Sequence, residues 1–287
     1  MPDPTRPVAV IGGGTMGTGI VYVAAYGGYN VTVVEPDDAR AAVLAAAIDG
    51  AVTSAIERGK LSATSAAALV ARIRRVASIK DVPARPLVAI ETVPEHLELK
   101  RRVLADIEAL EPGLIGSNTS SLGIDEMAAA LRRPERFLGT HFFQPVWSFK
   151  FMELIRGSAT DEATVTAAVS FAKALDKESI VVRDVPGFAT SRLDMISALE
   201  AMRMLEDGVT DVVDIDRASV LAFHHPIGPL RLSDMVGLDV RLDIARSLEA
   251  RYGERYAPPK ILIDKVARGE LGRKSGQGFY PWPSQGN

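Results

Sequence analysis

Val8-Ala9-Val10-Ile11-Gly12-Gly13-Gly14-Thr15-Met16-Gly17 decides the fold of this 287-residue chain. Four apolar residues without polar alternation read as a strand buried on both faces, the kind found inside parallel sheets. The glycines that follow satisfy G-x-G-x-x-G. Met16 to Ala25 then carries a small and apolar helical pattern, stopped by Gly27-Gly28, and Val31-Thr32-Val33-Val34 is a second strand closed by Glu35. In a strand–turn–helix–strand setting each motif glycine has a purpose. Gly12 makes the tight turn, Gly14 admits a pyrophosphate close to the backbone, and Gly17 lets helix and strand pack together. The unpaired N–H groups at Thr15 and Met16, where the helix begins, face the same anion. An acid at Glu35 accepts the adenosine ribose hydroxyls and repels a ribose 2′-phosphate, so the motif reads as an NAD site rather than an NADP site, a preference that nearby Arg40 moderates.

Working outward, Asp37 to Arg75 is alanine-rich and reads as two helices broken at Gly59, with Ser62-Ala63-Thr64 starting the second. Leu87 to Ile90 is a strand, Glu95 to Leu110 a charged helix, and Gly113 to Ser117, Phe137 to Phe142, Phe151 to Ile155 and Ile180 to Val182 are further strands. A helix over roughly Glu162 to Leu175 separates the last two. Strands alternating with helices predict an α/β, Rossmann-like doubly wound parallel sheet over residues 1–185. After Pro186-Gly187 the strands stop. Residues 188–268 show helical periodicity interrupted at Gly208, at His225-Pro226-Ile227-Gly228-Pro229 and at Gly253, so residues 186–287 are expected to form an all-helical second domain.

The composition excludes several function classes. With 33 Lys+Arg against 36 Asp+Glu the net charge is −3, without the basic excess that a nucleic-acid partner demands. There is no cysteine, hence no disulfide, thiolate metal site or cysteine nucleophile, which fits a reducing, cytoplasmic setting. Four histidines (His96, His141, His224, His225) leave little for a His-rich metal site, and none is expected. The stretch Val8–Val34 carries no charge and is long enough to span a bilayer, but its two glycine clusters cut it into short elements, so no membrane partner is expected. Met1-Pro2-Asp3-Pro4-Thr5-Arg6 is polar and proline-broken, unlike a signal peptide.

Several further motifs stand in a fixed order: Glu91-Thr92-Val93-Pro94-Glu95 leading to Lys100, Ser117-Asn118-Thr119-Ser120-Ser121, His141-Phe142-Phe143-Gln144-Pro145, Glu153, Asp184-Val185-Pro186-Gly187-Phe188, His225-Pro226-Ile227-Gly228-Pro229, and Gly272 to Tyr280. With the glycine motif they make the chain resemble, over nearly its full length, the L-3-hydroxyacyl-CoA dehydrogenase family, including its short bacterial 3-hydroxybutyryl-CoA dehydrogenases. The resemblance implies NAD-dependent interconversion of a 3-hydroxyacyl thioester, on CoA or a carrier, and its 3-keto form, by a homodimer. It assigns catalysis to His141 and to Glu153 twelve residues on. The chemistry agrees: removing a hydride from a secondary alcohol also requires removing the hydroxyl proton, and imidazole titrates near neutrality. A carboxylate behind the ring fixes its tautomer and stabilises the imidazolium. Glu153 sits inside the apolar run Phe151-Met152-Glu153-Leu154-Ile155, where an unpaired charge is costly. The resemblance further implies that Ser120 hydrogen-bonds the substrate oxygen and that Glu95, Lys100, Asn118, Ser120, Gln144 and Lys274 contact NAD. From residue types alone Ser120 reads equally as a helix cap, and Glu95 and Lys100 as a charged helix face.

This chain also departs from the family. Gln144 replaces an asparagine after the two phenylalanines, and Ser191 replaces the asparagine that helps hold the substrate carbonyl, with a shorter reach. Trp147 introduces a bulky aromatic expected near His141. A family serine that touches CoA falls on Ala51 and a lysine on Arg58; Arg58 and Lys60 read as contacts to a CoA phosphate or as a solvated helix end. These departures keep two other readings open: a ketoreductase of a carrier-bound, carboxylate or polyketide-like substrate, and a non-catalytic NAD-binding structural protein like the related lens crystallins. The retained Ser120, His141 and Glu153 argue against the second.

Overall fold

The computed structural model describes residues 7–283, so the Met1–Arg6 reading lies outside the described residues. The chain divides into two compact units, Met1–Val185 and Pro186–Asn287.

The first unit is an eight-stranded sheet flanked by helices. Its elements are β1 (Val8–Ile11), α1 (Thr15–Tyr26), β2 (Val31–Val34), α2 (Asp38–Glu57), α3 (Ala63–Ala71), β3 (Ile73–Val76), β4 (Val88–Glu91), α4 (Leu97–Glu108), β5 (Leu114–Ser117), α5 (Ile124–Ala128), β6 (Phe137–Phe142), β7 (Phe151–Arg156), α6 (Glu162–Ala174) and β8 (Glu178–Arg183). The spatial order is β3-β2-β1-β4-β5-β6-β7-β8. β1 and β4 are neighbours from which the chain winds off in opposite directions, and the crevice beyond their carboxyl ends is where doubly wound sheets bind ligands. Val8, Val10, Val31, Val33, Val88 and Ile90 are buried in the sheet, and Ile20, Val21 and Ala24 of α1 pack against it.

Three expectations change. The alanine-rich region does not stay helical to Arg75: α3 ends at Ala71, and Ile73-Arg74-Arg75-Val76 forms the edge strand β3, parallel to β2. Being at an edge, it buries only Val76 fully, so it lacks the apolar run that marked the inner strands. The sheet is not wholly parallel, because β7 runs antiparallel to β6, with β8 parallel to β7. A short connection from Phe143 to Lys150 is enough for an antiparallel return, whereas a parallel crossover needs a dozen or more residues. Finally, the five-residue α5 is too short to show a period.

The caps follow from side-chain chemistry. Asp37, Ser62 and Asp161 each accept a backbone N–H at the starts of α2, α3 and α6. Among the described residues one helix, α2, has the length and apolar composition to cross a membrane; its inward stripe Leu44, Ile48, Val52 and Ala55 is buried in this unit.

The second unit is helical: α7 (Thr190–Glu206), α8 (Val212–Phe223), α9 (Pro229–Val236), α10 (Leu238–Tyr252) and α11 (Lys260–Ala267). Met195, Leu199, Met202, Leu230, Leu242 and Leu262 form its core. Two buried acids tie its final segment down. Asp234 accepts the N–H groups of Phe279 and Tyr280 and the Trp282 indole N–H, while Asp216 accepts the N–H groups of Leu230 and Arg231 and the Tyr280 hydroxyl.

Candidate active site

The crevice begins at the glycine turn. Gly12 has φ +111°, a conformation glycine alone adopts easily, and the Thr92 hydroxyl beyond β4 is within hydrogen-bond distance of both Ile11 O and Gly12 O. A Cβ on Gly17 would stand 1.9 Å from Gly12 O, so the helix can lie this close to the turn only with glycine there. At Gly14, by contrast, a Cβ would meet nothing within 4 Å. It faces a cavity of about 1090 Å³ lined by Gly12, Gly14, Thr15, Met16 and Glu35 among others. Open space over exposed backbone N–H groups at the start of α1 fits a pyrophosphate. Glu35 is buried at the far wall. Its carboxylate accepts Gly13 N (3.1 Å) and Asp37 N (3.0 Å), and Arg40 Nε lies 3.6 Å away.

Met16, Thr92 and Val93 also line a second cavity of about 380 Å³, so the two cavities adjoin along these residues. With Met16, Glu95, Lys100, Asn118, Ser120, His141 and Gln144 line this second cavity, which brings together seven of the residues expected from sequence. Gly17 lies beneath the turn. His141 and Glu153 are cross-strand partners in the antiparallel β6–β7 pair, which explains their twelve-residue interval and sets both side chains on one face of the sheet. His141 Nδ1 is 3.1 Å from Glu153 Oε2. Glu153 is fully buried, whereas His141 reaches the cavity. A carboxylate at Nδ1 holds the proton there and gives Nε2 the lone pair. The ring of Phe143 lies 4.5 Å from that of His141. Asn118 Oδ1 accepts Phe142 N at 2.9 Å, tying the end of β5 to the end of β6.

Lys100 and Glu95 are not a solvated helix face. Lys100 is buried, and its ammonium donates to Glu91 (2.7 Å), to Val93 O (3.0 Å) and to Glu95 (3.1 Å). Burial alone would raise the Glu95 carboxyl, but the hydrogen bond from Thr119 and the Lys100 ammonium outweigh it and hold the group below the usual carboxylate range. Sequence reasoning assigned no role to Glu91, Ser117 or Thr92. The available signal was an acid closing the apolar strand Val88-Ala89-Ile90.

Arg58, Lys60 and Trp147 converge elsewhere in the first unit, on a cavity of about 510 Å³ shared with Tyr22, Lys150 and Lys177. This corrects the placement of Trp147. It does not line the His141 cavity but packs edge-on to Tyr22, with ring centroids 5.8 Å apart, and Phe143 is the aromatic beside His141. Buried Lys177 pins the loop that carries Trp147, donating to Val146 O (2.8 Å) and Phe149 O (2.6 Å). Burial pushes the Lys177 ammonium below its ordinary value. Ser191 lies in the first turn of α7, and Lys274 is paired with Asp239 at 2.6 Å, both in the second unit.

Residues 7–185 match the 3-hydroxyacyl-CoA dehydrogenase NAD binding domain, and residues 187–282 match the C-terminal domain of the same family. The 3-hydroxybutyryl-CoA dehydrogenase of Mycobacterium tuberculosis is 38% identical over 287 residues, covering 98% of this chain and 100% of that protein. The crystal structure of (S)-3-hydroxybutyryl-CoA dehydrogenase from Ralstonia eutropha superimposes with a TM-score of 0.92 at 36% identity, over 98% of this chain and 100% of that one. A diketoreductase described in its dual catalysis of dicarbonyl compounds is more distant, with a TM-score of 0.81 and 25% identity, covering 98% of this chain and 100% of its own. On the two domain matches and this full-length identity, the chain belongs to the 3-hydroxyacyl-CoA dehydrogenase family of NAD-dependent oxidoreductases.

Proposed function

We propose that the chain interconverts a short 3-hydroxyacyl-CoA, of the 3-hydroxybutyryl type, and its 3-keto thioester. The observation that carries this reading is the His141–Glu153 pair, which opens on a cavity that shares Met16, Thr92 and Val93 with the glycine-turn cavity. NAD supplies the hydride acceptor, and the Gly12–Gly17 turn, Glu35 and the Glu95–Ser120 region are the residues that would hold it. His141 Nε2 takes the substrate hydroxyl proton, and returns it in the reverse direction. Glu153 steadies the ring and balances the imidazolium charge. Ser120, on the same cavity wall, donates a hydrogen bond to the substrate oxygen as negative charge develops there. The cavity of Arg58, Lys60 and Trp147 combines cations with aromatic faces, which suits the phosphates and base of a CoA handle. Ser191 and Lys274 enter this proposal through the family resemblance alone.

The helical unit leaves Leu193, Leu221 and Phe223 about two-thirds exposed, and we assign these side chains to a homodimer contact in a cytoplasmic enzyme. A concentration-independent monomer in analytical ultracentrifugation overturns the dimer. For the reaction, NADH consumption is followed with acetoacetyl-CoA, longer 3-ketoacyl-CoAs and dicarbonyl compounds lacking the thioester. Turnover of the CoA thioesters is expected. Turnover restricted to free dicarbonyls would instead favour a second reading, a ketoreductase of non-thioester substrates, for which the likeness to the diketoreductase is the specific observation.

A further inference from the structure

Glu91 ends β4 at the mouth of the crevice and is fully buried. A carboxylate taken out of water is costly unless its oxygens are paired, and here they accept three hydrogen bonds. Oε1 accepts from Lys100 Nζ and from Val93 N, each at 2.7 Å; Oε2 accepts from Ser117 Oγ at 2.6 Å. Ser117 is the residue in register with Glu91 on the neighbouring parallel strand, so the acid clamps the ends of β4 and β5 together. Lys100 has three protons to give, and Glu91, Val93 O and Glu95 Oε2 take them. The other oxygen of Glu95 gathers the next turn: it accepts from Thr119 Oγ1 at 2.5 Å, Ser121 Oγ at 2.9 Å, and the N–H groups of Ser120 and Ser121 at 3.2 Å. An unbroken chain of hydrogen bonds therefore runs from the buried strand end to the backbone of Ser120, on the wall of the cavity that holds His141.

Stability alone does not call for such a chain. A buried ion pair replaced by groups of similar volume is often neutral or even stabilising, whereas removing one partner is strongly destabilising. What neutral groups would lose is the fixed position of Glu95. We propose that Glu91 is a positioning residue of the reaction: by fixing Lys100 it fixes Glu95, and through Glu95 it sets where Ser120 stands. This rests on the reading of His141 and Ser120 given above and deepens it.

The test uses the full-length chain with Lys100→Met, Glu95→Gln, Glu91→Gln/Lys100→Met, and the last combined with Glu95→Gln, beside His141→Ala as a control. Gln at position 91 can still accept Val93 N–H and donate to Ser117 Oγ, so the double variant leaves neither charge of the Glu91–Lys100 pair unpartnered. Unfolding midpoint, NADH affinity, KM and kcat are measured for each at a temperature where all are folded. Lys100→Met is expected to lose both stability and kcat. The double variant should recover the unfolding midpoint, while kcat at saturating NADH stays down by about ten- to a hundredfold. Glu95→Gln should lower kcat in the otherwise native chain and add at most about twofold in the double background, the non-additivity of residues acting through one another. Wild-type kcat in the folded double variant overturns the proposal, as does a multiplicative loss with Glu95→Gln. Because His141→Ala is read separately, an active His141→Ala would bring down the catalytic assignment, and an inactive one beside a fully active double variant brings down only the role of Glu91.

Discussion

The glycine-turn cavity and the His141 cavity that adjoins it are built on different principles. At the glycine turn the chain presents backbone: Gly12, Gly14 and Gly17 clear space, and the start of α1 points N–H groups into it. At the His141 end the working groups are side chains from the ends of four strands, β4 to β7, held by buried hydrogen bonds. A backbone site can be written in ten consecutive residues. A side-chain site has to be assembled across strand registers, and each of its members depends on another. The first should therefore be sensitive above all to volume added at its glycines, and the second to the loss of a charge or a hydrogen bond.

The largest expected effect lies at the side-chain end. His141→Ala should lower kcat by about 10²–10⁴-fold, the usual worth of general acid–base help, with NADH affinity nearly intact. Glu153→Gln should cost less, because an amide still accepts from Nδ1–H while losing the charge that balances the imidazolium. Steady-state kinetics with a titration of NADH fluorescence checks both. A His141→Ala variant within a few-fold of wild type would show that this end is not where the proton is handled.

Next comes the backbone end. In Gly17→Ala one methyl would stand 1.9 Å from Gly12 O and 2.7 Å from Thr92 Oγ1, so the turn or the helix must move. Overpacking of this kind typically costs about 1–3 kcal/mol. The loss should appear as NADH affinity weakened roughly tenfold or more, with a smaller change in kcat at saturating NADH. Unchanged affinity by calorimetry would break the comparison, since added volume would then be tolerated where backbone is supposed to do the binding.

Glu35 is a buried acid at the backbone end and sharpens the contrast. Glu35→Gln keeps an acceptor for Gly13 N but removes the negative charge, leaving Arg40 and Arg75 close by. NADPH should gain on NADH by roughly tenfold, as expected when a like-charge repulsion is removed. Parallel titrations of the two cofactors test it, and an unaltered ratio would mean that shape rather than charge excludes the phosphate.

How much of this was legible in the sequence follows the same division. The glycine turn, its flanking strands and Glu35 could be placed from residue order, because a buried parallel strand is a short apolar run and the turn is local. His141 and Glu153 could be paired only through the resemblance; the register that makes them neighbours depends on the antiparallel return of β7, which residue types do not announce. Glu91 was visible only as part of a motif, since its meaning lies in Ser117 across the sheet and Lys100 on the next helix. Trp147 could not be placed from the sequence because its partners are distant in the chain: its ring packs on Tyr22, and its loop is pinned by Lys177, about thirty residues on. β3 escaped notice because an edge strand carrying Arg74 and Arg75 has no apolar run to show.

The smallest expected effect is on Thr140, the residue beside His141 on β6. Successive residues of a strand face opposite sides of the sheet, so the Thr140 side chain lies on the face away from His141. It packs against Gly116 of β5, where any added Cβ would come within 2.7 Å of it. Its hydroxyl is buried and has no hydrogen-bond partner among the described residues, in contrast to the buried Glu91, Lys100 and Glu153 nearby. A buried hydroxyl without a partner bears its desolvation cost with no return, so Thr140→Val, which keeps the branched shape, should be neutral or stabilising by about 0.5–1 kcal/mol. Urea midpoints at constant slope would read this, and kcat should not change. A destabilised Thr140→Val, or one with altered kcat, would show that polar groups on both faces of β6 serve the site, and that the side-chain end of the groove reaches deeper into the sheet than the strand face carrying His141.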